Sequence, residues 1–179
     1  MPADATRDVA LPAQALPRLR RALREEVGPV AALHGLHAAG YEAGEALCAR
    51  FLAALPAPLA ELPEPELWDR VARFFRQAGW GSLCHRPLHA GVGALEAENW
   101  AEATPGVEVQ PACGFTTGLL SAFLSGLAGG PVAVLEVSCA SRGDETCLFT
   151  FGSESTIHLL YGQLLEGASL EDGVAGLTG

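Results

Sequence analysis

The sequence is short of positive charge: 11 Lys and Arg stand against 21 Asp and Glu, a formal net charge of −10. A phosphate backbone or an anionic membrane surface would be repelled by such a chain, so direct nucleic-acid binding is not expected. Long apolar runs are missing too. Arg, Glu or Gly interrupts every candidate before the roughly 18 to 20 residues that a membrane span needs. The opening MPADATRDVA has neither the basic flank nor the apolar centre of a secretory leader, which points to a cytoplasmic chain. No C-x-x-C pair, no G-x-G-x-x-G and no phosphate-binding loop is present, so zinc fingers, dinucleotide sites and ATP sites find no support. None of the five histidines, His34, His37, His85, His89 and His158, falls in a Ser/His/Asp or Cys/His constellation. No catalytic residue is assigned, and an enzyme acting alone is not the favoured reading.

What is present is a hydrophobic content of 49% in 179 residues, enough for one globular domain with a proper core. Residues 1–14 read as a disordered tail, 15–167 as the domain and 168–179 as a loose end. PRLRRALREEVG, from Pro17, makes a short helix in which Arg18, Arg20, Arg21 and Arg24 form one solvated face. A second helix runs from about Pro29 to Leu55, carrying Gly35, Gly40 and Gly44. Each interior glycine costs a helix about 1 kcal/mol, so three of them imply close approach of another backbone or of a ligand. Four prolines between Pro56 and Pro65 mark a linker, Glu66 to Ala78 returns to helix, and Trp80 to His89 with Ala94 to Trp100 reads as a pair of strands. Ser153 caps a last helix to Leu165.

The richest stretch is Pro111 to Phe151. It contains Cys113, Cys139 and Cys147, and one acidic residue, Glu136, among Val132, Val134, Leu135 and Val137. A carboxylate in such company is costly to bury without a cation. A helix from Cys113 to the Gly129-Gly130-Pro131 stop, a strand from Val132 to Cys139, a turn at 141–145 and a returning strand from Cys147 would let all four side chains converge. Glu136 and Cys139 are three apart, on opposite faces of a regular strand, so a bulge or the start of the turn must rotate one of them. Three thiolates and a carboxylate suit a closed, four-coordinate structural Zn²⁺ site. A Cys139–Cys147 disulfide, or three buried thiols with no further role, fits the spacing as well.

The pattern C-G-F-x-x-G, then V-x-V-x-E-V-x-C-x-x-x-G-D-x-x-C-x-F, resembles the vinyl-4-reductase domain family. This family includes proteins related to the bacteriochlorophyll 4-vinyl reductase component and the aromatic-sensing domains of phenol- and xylene-responsive activators. Weaker likenesses lie at Gly40 to Glu45, Gly79 to Gly81 and Glu98 to Ala103. The resemblance implies Zn²⁺ held by Cys113, Glu136, Cys139 and Cys147, and an α+β fold with an antiparallel sheet of four or five strands flanked by helices. It also implies pairing as a homodimer through the early helices. The favoured reading is a sensor or carrier of a small hydrophobic or aromatic molecule, with His37, Trp80, Trp100 and Phe115 as candidate ligand contacts and a regulatory or enzyme partner. A tetrapyrrole-handling component and a dimeric lipid-holding adaptor are the alternatives.

Overall fold

The computed structural model describes residues 9–89 and 91–177. The first eight residues of the expected N-terminal tail therefore lie outside the described residues. Two helices come first, α1 (Ala15–Val27) and α2 (Pro29–Ala53), followed by a single 3₁₀ turn at Leu59–Glu61 and α3 (Glu64–Gln77). Next are β1 (Ser82–His89) and β2 (Val92–Glu98), then α4 (Gly114–Ala128), β3 (Ala133–Ser138), β4 (Cys147–Gly152), α5 (Glu154–Leu165) and α6 (Leu170–Ala175). The four strands form one antiparallel sheet in the order β1-β2-β4-β3, so the second hairpin joins the first through β4. This is the expected α+β architecture.

Helix α4 lies between α2 and the sheet. Its residues 118–124 are all buried, which matches a helix that is apolar nearly all round. The crossing with α2 is made by glycine. A Cβ on Gly40 would clash with the Phe115 carbonyl, one on Gly44 with the Leu119 carbonyl, and one on Gly118 with the His37 carbonyl. Gly40 and Gly44 thus mark a close backbone approach within the chain, whereas Gly35 faces open space. Phe51, Phe74, Phe75 and Phe123 fill the core beside this crossing, with ring centroids 5.0 to 6.0 Å apart.

Two expectations need correction. The arginines of α1 do not form one solvated face, because Arg20 is only 4% exposed. It points inward because the 102–112 segment offers it two backbone carbonyls and a carboxylate. Nor is the end of the chain loose throughout. Ser169 caps α6 by accepting the Asp172 N–H at 3.1 Å, and Val174 packs in a small apolar cluster with Ile157 and Leu160 of α5. Ser153 caps α5 as expected, its Oγ accepting the Thr156 N–H at 3.2 Å.

Candidate metal centre and its surroundings

The register of β3 against β4 slips between Glu136 and Ser138. That irregularity turns Glu136 and Cys139 toward the same interior point, as the three-residue spacing demands. A 3₁₀ turn, Ala140–Arg142, follows at once. Asp144 organises it: its Oδ2 accepts the Cys139 N–H at 2.7 Å and two bonds from the Arg142 guanidinium. Cys147 opens β4 on the far side, and Cys113 arrives as the N-cap residue of α4.

Four ligand-type atoms thereby meet. The three sulfurs and a Glu136 carboxylate oxygen all lie within 4.8 Å of one another, and all four residues are buried. The Cys113 sulfur stands 3.8 Å from that of Cys139 and 3.9 Å from that of Cys147. A disulfide needs about 2.05 Å, whereas two sulfurs bound tetrahedrally to zinc at about 2.3 Å stand about 3.8 Å apart. All five cysteines are free thiols, which excludes the hairpin disulfide in this structure.

The electrostatics call for a cation. Hydrogen bonds from Cys113 and Cys147 hold the Cys139 thiol well below its usual range. The hydrogen bonds to Cys139 and Cys147, together with burial, push Cys113 far up. Cys147 is pushed up to about 12: its hydrogen bond with Cys113 lowers it, but the bond with Cys139, burial and the Cys139 charge outweigh that. Burial, followed by the Cys139 charge, raises Glu136 to about 8. Glu136 Oε2 accepts the Cys113 N–H at 2.8 Å, while Oε1 is buried with no hydrogen-bond partner. One such orphaned carboxylate oxygen beside three sulfurs is the donor set a soft divalent ion completes.

A second polar group anchors the same end of α4. Cys113 provides no side-chain cap for the helix. Glu102, 1% exposed, does so from a distance: its carboxylate accepts the Phe115 N–H at 3.1 Å, the Thr116 N–H at 2.7 Å and the Thr116 hydroxyl at 2.7 Å. Burial pushes the Glu102 carboxyl above the usual range, with those bonds and the Arg20 charge only partly offsetting it. Arg20 in turn donates to the Glu102 carbonyl at 3.2 Å and the Ala112 carbonyl at 3.0 Å. Neither residue stands out in the sequence. The missing Ser, Thr, Asp or Asn before Gly114 is the available signal, since an uncapped buried helix start must find acceptors elsewhere.

Three of the four candidate ligand contacts come together. Trp100 is buried and donates its indole N–H to Thr116 Oγ1 at 2.8 Å. Trp80 stands 5.6 Å from Trp100 and stacks on Phe115 at 6.0 Å, half-buried at the edge of the core. His37 sits on α2, where its carbonyl faces Gly118 and burial lowers its basicity, aided by His34. Cys84 is exposed on β1, and His85 stacks on Trp68 at 4.0 Å. Cys48 is a core residue, as its setting in the second helix suggests.

Residues 95–153 match the family model of the vinyl-4-reductase domain. The chain carries this domain, and the matched stretch spans all four residues of the buried cluster together with Trp100 and Glu102. Among solved structures, it is similar to the crystal structure of the phenol-responsive sensory domain of the transcription activator PoxR with phenol. The TM-score is 0.65 at 17% identity, covering 95% of this chain and 82% of that one. It is also similar to a vinyl-4-reductase family protein from Methanocaldococcus jannaschii, with a TM-score of 0.49 at 17% identity, covering 80% and 82%. Comparison with curated protein sequences gives no match. Among the described residues no helix is long and apolar enough to cross a membrane.

Proposed function

We propose that this chain is a small-molecule-binding vinyl-4-reductase domain, a sensor or carrier for a small aromatic or hydrophobic ligand, built around a structural Zn²⁺ held by Cys113, Glu136, Cys139 and Cys147. The observation that carries the metal half is the buried convergence of three sulfurs and an unpartnered carboxylate oxygen. With all four positions filled by protein, the ion has no open site for chemistry. It would tie the start of α4 to the β3–β4 hairpin and contribute to folding.

The ligand half draws on the fold shared with a phenol-binding sensory domain and on the stack of Phe115, Trp80 and Trp100. Flat rings with one indole N–H already directed at a hydroxyl group are suited to a planar molecule carrying a polar handle. A ligand entering beside Trp80 would reach Trp100, whose partner Thr116 also bonds Glu102 at the helix start. Occupancy would thus be read out at the end of α4 that the metal fixes.

Native mass spectrometry of the purified chain with a panel of phenols, fatty acids and porphyrins tests the reading. One zinc and one small aromatic per chain are expected. A retained porphyrin or acyl chain with no phenol binding would replace the ligand class. Glu136→Ala is expected to weaken metal retention at least about tenfold; a variant that holds the ion as tightly as the parent removes Glu136 from the ligand set.

A further inference from the structure

Between α1, the start of α2 and the 108–112 segment lies a cavity of about 210 Å³ that shares no residue with the sulfur cluster or the Trp80–Trp100–Phe115 stack. Its apolar wall includes Val30, Leu33, Leu36 and Ala112. Val30 is 67% exposed and Leu33 50%, so part of this wall faces solvent. At one end Arg20 and Arg24 share Glu108, with Arg20 Nη2 3.2 Å from Oε1 and Arg24 Nη1 2.6 Å from Oε2. Against its burial, Glu108 is held below the usual carboxylate range by the Arg24 hydrogen bond and by the charges of both arginines. Two guanidinium groups facing one carboxylate leave a single positive charge here, in a chain of net charge −10.

Two further features ask for an acceptor. Arg20 is only 4% exposed, yet its Nε has no hydrogen-bond partner. A buried donor left unpaired is a cost that a bound acceptor relieves. The first turn of the 25-residue helix α2 also lines the cavity, through Pro29, Val30 and Ala32, and Gly28 provides it no side-chain cap. Its first N–H groups have no intrahelical acceptor, and the helix dipole favours negative charge there.

We propose that this cavity is a binding site for a small monocarboxylate with an apolar body, the class of benzoate or octanoate. The carboxylate sits against Arg20, Arg24 and the start of α2, and the hydrocarbon covers Val30, Leu33 and Leu36. The single residual charge selects a monoanion over a dianion, and the apolar wall selects an amphiphile over inorganic phosphate. Arg20 also holds the carbonyl of Ala112, the residue before Cys113, so an occupant bears on the segment that leads into the sulfur cluster.

Methyl-labelled NMR of the full, metal-loaded chain tests this with sodium octanoate, sodium benzoate, methyl benzoate and inorganic phosphate. The two acids are expected to shift Val30, Leu33 and Leu36 saturably, with the ester and phosphate weaker by at least about tenfold. Arg24 is half-exposed, and Arg24→Gln is expected to fold as the parent does while losing about tenfold in octanoate affinity. Equal binding of benzoate and its ester, an unchanged Arg24→Gln affinity, or acid-induced shifts confined to Trp80, Trp100 and Phe115 would each overturn the proposal. The aromatic site is read separately, from the Trp80 and Trp100 indole signals on adding phenol, so the two ligand readings fail independently.

Discussion

Helix α4 is held in two ways that share almost no chemistry. At its start, polar groups converge from four segments: Cys139 and Cys147 from the hairpin, Glu136 from β3, Glu102 from the loop after β2 and Arg20 from α1. Along its length it is held by shape alone, where Gly40, Gly44 and Gly118 let two backbones approach without intervening side chains. The first junction depends on charge balance in a buried space and so on an ion. The second depends on the absence of methyl groups and is indifferent to any ion.

Substitutions that separate the two junctions sharpen this contrast. Cys139→Ser is expected to have the largest effect, costing on the order of 3–5 kcal/mol because it leaves a buried, incompletely compensated donor set, and to make stability insensitive to chelator. Chemical denaturation with and without chelator measures both. Gly118→Ala forces α2 and α4 apart against the His37 carbonyl, at a cost of about 3 kcal/mol, while metal content stays at the parental level. Loss of metal in that variant would show that the two junctions are one.

Arg20→Met probes the link between them. It leaves the Glu102 and Ala112 carbonyls without their donor, and about 2 kcal/mol is expected in the same denaturation assay, with a smaller chelator effect than for Cys139→Ser. Cys84→Ser sets the floor. Its sulfur is exposed on β1, far less constrained than the clustered thiols, and a change within about 0.5 kcal/mol is expected. A large loss there would mean that the thiol count, rather than the position of the thiols, governs stability.

The two junctions were not equally legible in the sequence. The cysteine and glutamate spacing carried the first, down to the irregularity after Glu136 that the three-residue interval to Cys139 requires. Gly40 and Gly44 signalled the second, because glycine inside a helix has few other reasons to be there. Gly35 looked the same and does nothing of the kind, since periodicity cannot tell which face of a helix meets a partner. Arg20 and Glu102 were opaque for a different reason. Their partners lie 82 and 14 residues away, respectively, and a charged side chain bonded to distant backbone groups leaves no repeating trace in the chain. The short helix α6 was hidden by its glycine-rich setting, although Ser169 was a cap in plain view.

The central claim is that four residues distant in sequence hold one divalent ion that fixes α4 to the β3–β4 hairpin. Elemental analysis of the chain beside its Cys139→Ser variant, both purified without added metal, tests it most directly. About one zinc per chain is expected in the parent and a small fraction of that in the variant. Equal, near-background metal in both, with Cys113, Cys139 and Cys147 all titrating as free thiols in the folded parent, would contradict it.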